Sequence, residues 1–104
     1  MNWQHALKDY GNYLRIERGL ANNSVLNYTF DVEKLMAYLK ENEISDSPIN
    51  ISEEVVQQFI YEISKNVNAR SQSRIISGLK SFFSFLIFED YRKNNPADLI
   101  ESPK

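Results

Sequence analysis

Apolar residues recur along most of this chain at steps of three and four, the interval of an amphipathic helix. Trp3, Leu7, Tyr10 and Leu14 set the first such series, over about Trp3 to Arg18, and Gly19 stands where a helix would be capped. A second runs from about Asn23 to Glu41, with Val25, Tyr28, Val32, Leu35, Met36 and Leu39 in one stripe. Asn22, Asn23 and Ser24 supply its start signals. A polar loop from Asn42 to Asn50 follows, carrying Pro48. Ser52 is a suitable N-cap for a third helix, whose first turn holds Glu53 and Glu54, where the helix dipole favours acids. Val55, Val56, Phe59, Ile60 and Ile63 form its apolar side, and Asn66, Val67 and Asn68 break the pattern. The fourth helix is expected from about Ser71 to Phe88, reaching at most Tyr91. Asn94-Asn95-Pro96 ends it, with one short turn at Ala97 to Ile100. No segment shows the alternation of a strand. The fold expected is all-α, a compact four-helix bundle with a short fifth turn at the C-terminus.

On a wheel of about 100° per residue, the fourth helix has two unlike sides. Ile75, Leu79, Phe82, Phe83 and Leu86 gather on one. Arg70, Ser73, Arg74, Ser77, Ser81 and Ser84 gather on the other. That outward stripe has no acid and none of the Glu-to-Lys pairs common on solvated helices. Serine is also a mediocre helix former, so a face chosen for solubility alone would carry Glu, Lys and Gln instead. Two readings stand side by side. Small hydroxyls let a neighbouring helix pack closely. They also let the helix backbone approach a polyanion, with Ser hydroxyls donating to phosphate and Arg pairing with a phosphate or, bidentately, with a guanine edge.

The second helix is harder to read. Its outward side carries Leu26, Asn27, Phe30, Lys34 and Ala37, and the simplest account of Leu26 and Phe30 is cover by the first helix. A partner chain meeting them is the other account. Asp31 lies between stripes, placed to hold an arginine or a helix start.

Composition changes this picture in two ways. With 42% hydrophobic and 25% charged residues in 104, the chain has the balance of one folded domain rather than a disordered segment. Its formal net charge of −2 counts against a simple polyanion binder, but the charge is uneven. From Glu41 to Glu62 there are acids and no Lys or Arg. From Ile63 to Phe88 there are Lys65, Arg70, Arg74 and Lys80 and no acid. A partner at contact distance feels the local field.

Catalytic chemistry finds little to work with. There is no cysteine, hence no disulfide, thiolate nucleophile or thiolate metal site. His5 is the single histidine and reads as a solvent-facing or capping residue. Asp9 with Tyr13, and Glu53 with Glu54, do not converge as acid–base pairs. No phosphate-binding Gly-rich loop, zinc pattern, nucleophile elbow or calcium loop is present, so no cofactor, metal or small-molecule substrate is expected. No apolar run is long enough to span a membrane, and the first residues lack the basic head and apolar stretch of a signal peptide. A soluble cytoplasmic protein is the expectation.

Several stretches carry a family resemblance. They are Tyr13-Leu14-Arg15-Ile16-Glu17-Arg18-Gly19-Leu20 and Ala21-Asn22-Asn23-Ser24 with Tyr28 and Asp31. Further on come Ser71, Arg74, Ser77, Leu79, Lys80, Phe82 and Phe83, then Asn95-Pro96 and Ser102-Pro103-Lys104. Together they resemble the N-terminal core-binding, SAM-like domain of tyrosine recombinases and integrases, most closely the XerC/XerD type. The resemblance implies a DNA-binding domain over residues 1–100. Residues 101–104 would begin a linker to a catalytic domain outside this chain, where a tyrosine attacks a DNA phosphate. It implies double-stranded DNA at a recombination half-site and other protomers of a tetramer as partners. The DNA face falls on the second and fourth helices: Arg70, Ser71, Arg74, Ser77, Lys80 and Ser81 on the fourth, and more weakly Ser24, Asn27 and Thr29 on the second. After Tyr28 the chain departs from relatives that carry basic residues, having Thr29 and Phe30. The Ser102-Pro103-Lys104 exit points toward the chromosome-dimer-resolving type. The competing class is a helical protein-interaction module without nucleic-acid binding, docking through Leu26, Phe30 and the first helix.

Overall fold

A computed structural model describes residues 1–101 as four helices in the order α1 (Trp3–Ile16), α2 (Asn22–Glu41), α3 (Glu53–Ser64) and α4 (Ala69–Phe88), with no strand among the described residues. This is the expected all-α bundle. A turn at Pro96–Leu99 follows α4, one residue earlier than the pattern placed it. Ser102, Pro103 and Lys104, expected to continue the linker, lie outside the described residues.

The helix ends follow local hydrogen bonding. Asn2, Ser52 and Asn68 each cap a helix by accepting a backbone N–H into the side chain, from His5, Val55 and Ser71. Asn68, which reads as a pattern breaker, is thus the N-cap of α4, and the helix starts two residues before the position expected. Arg70 and Ser71 therefore occupy its first turn. At its far end Asp90 takes the left-handed conformation, φ 62°, and the Tyr91 N–H closes on the Leu86 carbonyl at 2.8 Å. That stops α4 at Phe88. α1 ends at Ile16 rather than Arg18, and Gly19, at φ 64°, turns the chain so that the Leu20 N–H reaches the Leu14 carbonyl at 3.0 Å.

α4 is the centre of the core. Ile75, Ile76, Leu79, Phe82, Phe83, Phe85 and Leu86 are all buried, more of its circumference than the wheel assigned. α1 covers it through aromatic contacts: Tyr10 meets Phe82 edge-on at 5.3 Å and Phe85 at 5.4 Å, and Tyr13 meets Phe85 at 4.9 Å. α2 packs along it with Val25, Val32, Leu35 and Leu39. α3 closes the opposite side with Val56, Phe59 and Ile60, Phe59 against Tyr38 of α2 at 5.4 Å. The tail is fastened by two polar side chains. Arg92 donates to the Pro48 and Ile51 carbonyls at 3.1 Å each. Asn95 donates to the Lys80 carbonyl and the Ser84 hydroxyl and accepts from the Ala97 N–H. Ala97 and Ile100 are buried as a result. No helix among the described residues is long and apolar enough to cross a membrane.

Candidate nucleic-acid interface

α2 and α4 approach closely where Asp31 faces Gly78. A Cβ added to Gly78 would come within 3.1 Å of both Cβ and Cγ of Asp31 and would collide with its carboxylate, so only glycine allows this contact. Asp31 is 2% exposed, the one buried charged residue among those described. Its Oδ1 lies 3.0 Å from Arg74 Nη1, and Oδ2 accepts a hydrogen bond from the same nitrogen at 3.2 Å. Burial pushes the Asp31 carboxyl above its ordinary value, against the opposing pull of Arg74 and then Lys34. The arginine itself is half out in solvent, with 49% of its side chain exposed.

Beside this pair a cleft of about 220 Å³ opens between the two helices, lined by Ser24, Asn27, Tyr28, Asp31, Arg74, Ser77 and Gly78. Four residues singled out from the sequence, Ser24, Asn27, Arg74 and Ser77, meet here. Arg70 is exposed in the first turn of α4 and makes no ion pair among the described residues. Ser71, half-buried, donates its backbone N–H to the cap Asn68. Neither α2 nor α4 carries an acid in its first turn, whereas α3 carries two. The positive ends of those two helix dipoles are therefore uncompensated.

The C-terminal serines of the predicted stripe have other work: the outward placement of Ser81 is corrected, while Ser84 stays exposed but bonded. Ser81 is half-buried, and its hydroxyl accepts a 2.9 Å hydrogen bond from Tyr10 of α1. Burial pushes the Tyr10 phenol up to about 12, a group held as a neutral donor. Ser84 receives Asn95 from the tail, and Lys80, half-buried, lends the same side chain its carbonyl. The serine face thus divides: Ser77 lies open on the cleft between α2 and α4, whereas Ser81 is packed against α1. Thr29 turns away from the cleft. Its hydroxyl donates to the Leu26 carbonyl one turn back, and its side chain lines the separate α1–α2 groove with Gly11 and Arg15. Leu26 and Phe30, expected under α1, are 59% and 53% exposed, because α1 crosses α2 on the Val25–Thr29 side. Lys34 sits over the Phe30 ring at 4.9 Å.

Two residues of structural weight escaped the sequence reading. Gly78 had a signal, a glycine amid bulky residues in mid-helix. Arg92 had none, since its carbonyl partners are brought near only by folding. Asn95 reads as part of the stop after α4, but its bonds to Lys80 and Ser84 do not show in the sequence. Among the described residues no group of His, Asp and Glu is arranged to hold a metal ion.

The comparisons with known proteins agree with this architecture. Residues 7–90 match the family described as phage integrase, N-terminal SAM-like domain. Similar curated proteins include tyrosine recombinases XerD from Staphylococcus epidermidis, 34% identical over 99 residues, and from Rickettsia prowazekii, 40% identical over 92. A third, from Oceanobacillus iheyensis, is 33% identical over 102 residues. These alignments cover 94%, 88% and 97% of this chain but only 33%, 29% and 34% of those proteins, so the chain spans about a third of their length. No solved structure matches. On the match across nearly all of its four helices, the chain belongs to the phage integrase N-terminal SAM-like domain family.

Proposed function

We propose that this chain is the DNA-gripping domain of a site-specific tyrosine recombinase, holding one face of a recombination half-site through α2 and α4. One observation carries the reading: the cleft that brings Ser24 and Asn27 of α2 together with Arg74 and Ser77 of α4, beside an unpaired Arg70. Side-chain hydroxyls, an amide, guanidiniums and two dipole ends free of first-turn acids are donors matched to phosphates and base edges. Strand cleavage belongs, in this reading, to residues outside these 104. The relatives' name, tyrosine recombinase, supports that division, since the chain aligns with only a third of each.

The packed half of α4 narrows the face. Ser81 and Thr29 are committed to bonds within the bundle, so Arg70, Ser71, Arg74, Ser77, Ser24 and Asn27 carry the contact, with Lys80 at its margin. Four to six phosphate contacts without a second clamp half place the isolated affinity in the non-specific range, roughly 10⁻⁴–10⁻⁶ M. Coupling to a second binding domain would raise it by effective concentration. Fluorescence anisotropy on a labelled duplex across a salt series tests this. Binding should weaken as salt rises and be lost in Arg70→Ala/Arg74→Ala; a double variant that binds like the parent would refute the assignment.

Leu26 and Phe30 favour an added role for α2. Two large apolar side chains four residues apart and open to solvent fit contact with a neighbouring protomer of a recombinase assembly.

A further inference from the structure

We infer that Asp31 is a positioning residue, holding Arg74 so that its guanidinium reads a guanine edge in the major groove rather than neutralising a phosphate. The inference rests on the DNA-binding reading and names the ligand group within it. Both carboxylate contacts of Asp31 go to one nitrogen of Arg74, Nη1, at 3.0 and 3.2 Å. Nη2 and Nε have no partner among the described residues and remain available at the cleft. Gly78 fixes the carboxylate from behind, since no other side chain fits there, and burial of Asp31 leaves it no alternative cation within reach except the more distant Lys34.

Two consequences follow from that geometry. A phosphate set against the outer edge of the guanidinium would be repelled by the carboxylate one guanidinium width behind it, so much of the attraction cancels. The O6 and N7 acceptors of guanine carry no net charge and incur no such repulsion. An arginine already held in one orientation also loses less side-chain freedom on docking to a planar acceptor pair. Arg70, in the same stripe and without a carboxylate, is the internal contrast: a free cation suited to phosphate.

The test equilibrates this chain at low salt with a pool of short duplexes randomised at the centre, sequences the bound fraction, and measures salt slopes on the selected duplex. The unaltered chain should enrich guanine at one position by roughly tenfold. Replacing that base by 7-deazaguanine, which lacks N7, should remove the preference. Arg74→Ala combined with Asp31→Asn removes both members of the neutral pair and should erase the preference with the salt slope nearly unchanged, while Arg70→Ala should keep the preference and lower the slope by about one contact. Asp31→Asn, with folding checked by circular dichroism, should lose the preference and steepen the slope by about one, because the released guanidinium then acts as a net charge. A purely structural Asp31 would not steepen it. The inference is overturned if Arg74→Ala combined with Asp31→Asn weakens all sequences equally and flattens the slope, or if 7-deazaguanine has no effect. It is also overturned if Asp31→Asn folds and keeps its preference. Absence of any DNA binding by the unaltered chain at low salt refutes the domain's proposed function itself, a result distinct from binding without guanine preference.

Discussion

Asp31 shows how one residue can set the character of a contact between helices. Its carboxylate is buried, paired on one side and crowded by Gly78 on the other. Because burial raises its proton affinity above the ordinary carboxylate value of 3.8, the folded state binds that proton more tightly than the unfolded chain does. Ionisation of Asp31 therefore costs stability as pH rises from the ordinary value through the raised folded one, and the cost is absent below. The stability of the protein measured against Asp31→Asn should fall as pH rises from the ordinary carboxylate value of 3.8 in urea unfolding. A rise would mean that the pairing with Arg74 outweighs burial. Gly78→Ala tests the same contact sterically. Its Cβ has no room beside Asp31, so a loss of about 1–3 kcal/mol is expected from denaturant midpoints.

At the scale of elements, α4 is two helices in one. Its N-terminal half exposes Arg70, Arg74 and Ser77, while its C-terminal half is held by Tyr10 of α1 and Asn95 of the tail. A double-mutant cycle on Tyr10→Phe and Ser81→Ala should give a coupling of about 0.5–1.5 kcal/mol. Asn95→Ala removes two hydrogen bonds that tie the tail to α4 and one within the tail. It should destabilise the fold by about 1–3 kcal/mol, with faster hydrogen exchange at the Ile100 N–H, which bonds to Ala97. Neither change touches the open half, so any DNA binding should survive both.

For the whole molecule, the acidic average is compatible with a cationic contact because the charges are segregated. The acids from Glu41 to Glu62 lie on the end of α2, the loop and α3, while the cleft is built from the N-terminal halves of α2 and α4. With Arg70 and the marginal Lys80 as the cations open to phosphate, the logarithm of affinity should fall against the logarithm of salt with a slope of roughly −1 to −2. A slope near zero would favour the competing reading, a protein-docking module using Leu26 and Phe30.

What the sequence determined by itself was whatever repeats locally: four helices, their inward stripes and the Ser52 cap of α3. Apolar spacing and side-chain-to-backbone bonds act within a turn or two, so Leu79, Phe82 and Ser52 declare their roles unaided. The same locality explains the candidate face, since Arg70, Arg74 and Ser77 share one helix. Only tertiary structure decided which serine hydroxyls are engaged, because Ser81 is claimed by a tyrosine 71 residues away and Ser84 accepts from the tail. It also decided that Leu26 and Phe30 lie outside and that Asp31 holds Arg74. A wheel records the direction in which a side chain points, whereas its neighbour depends on the angle at which another helix crosses. Between α2 and α4, the missing Cβ at Gly78 leaves the room that Asp31 occupies.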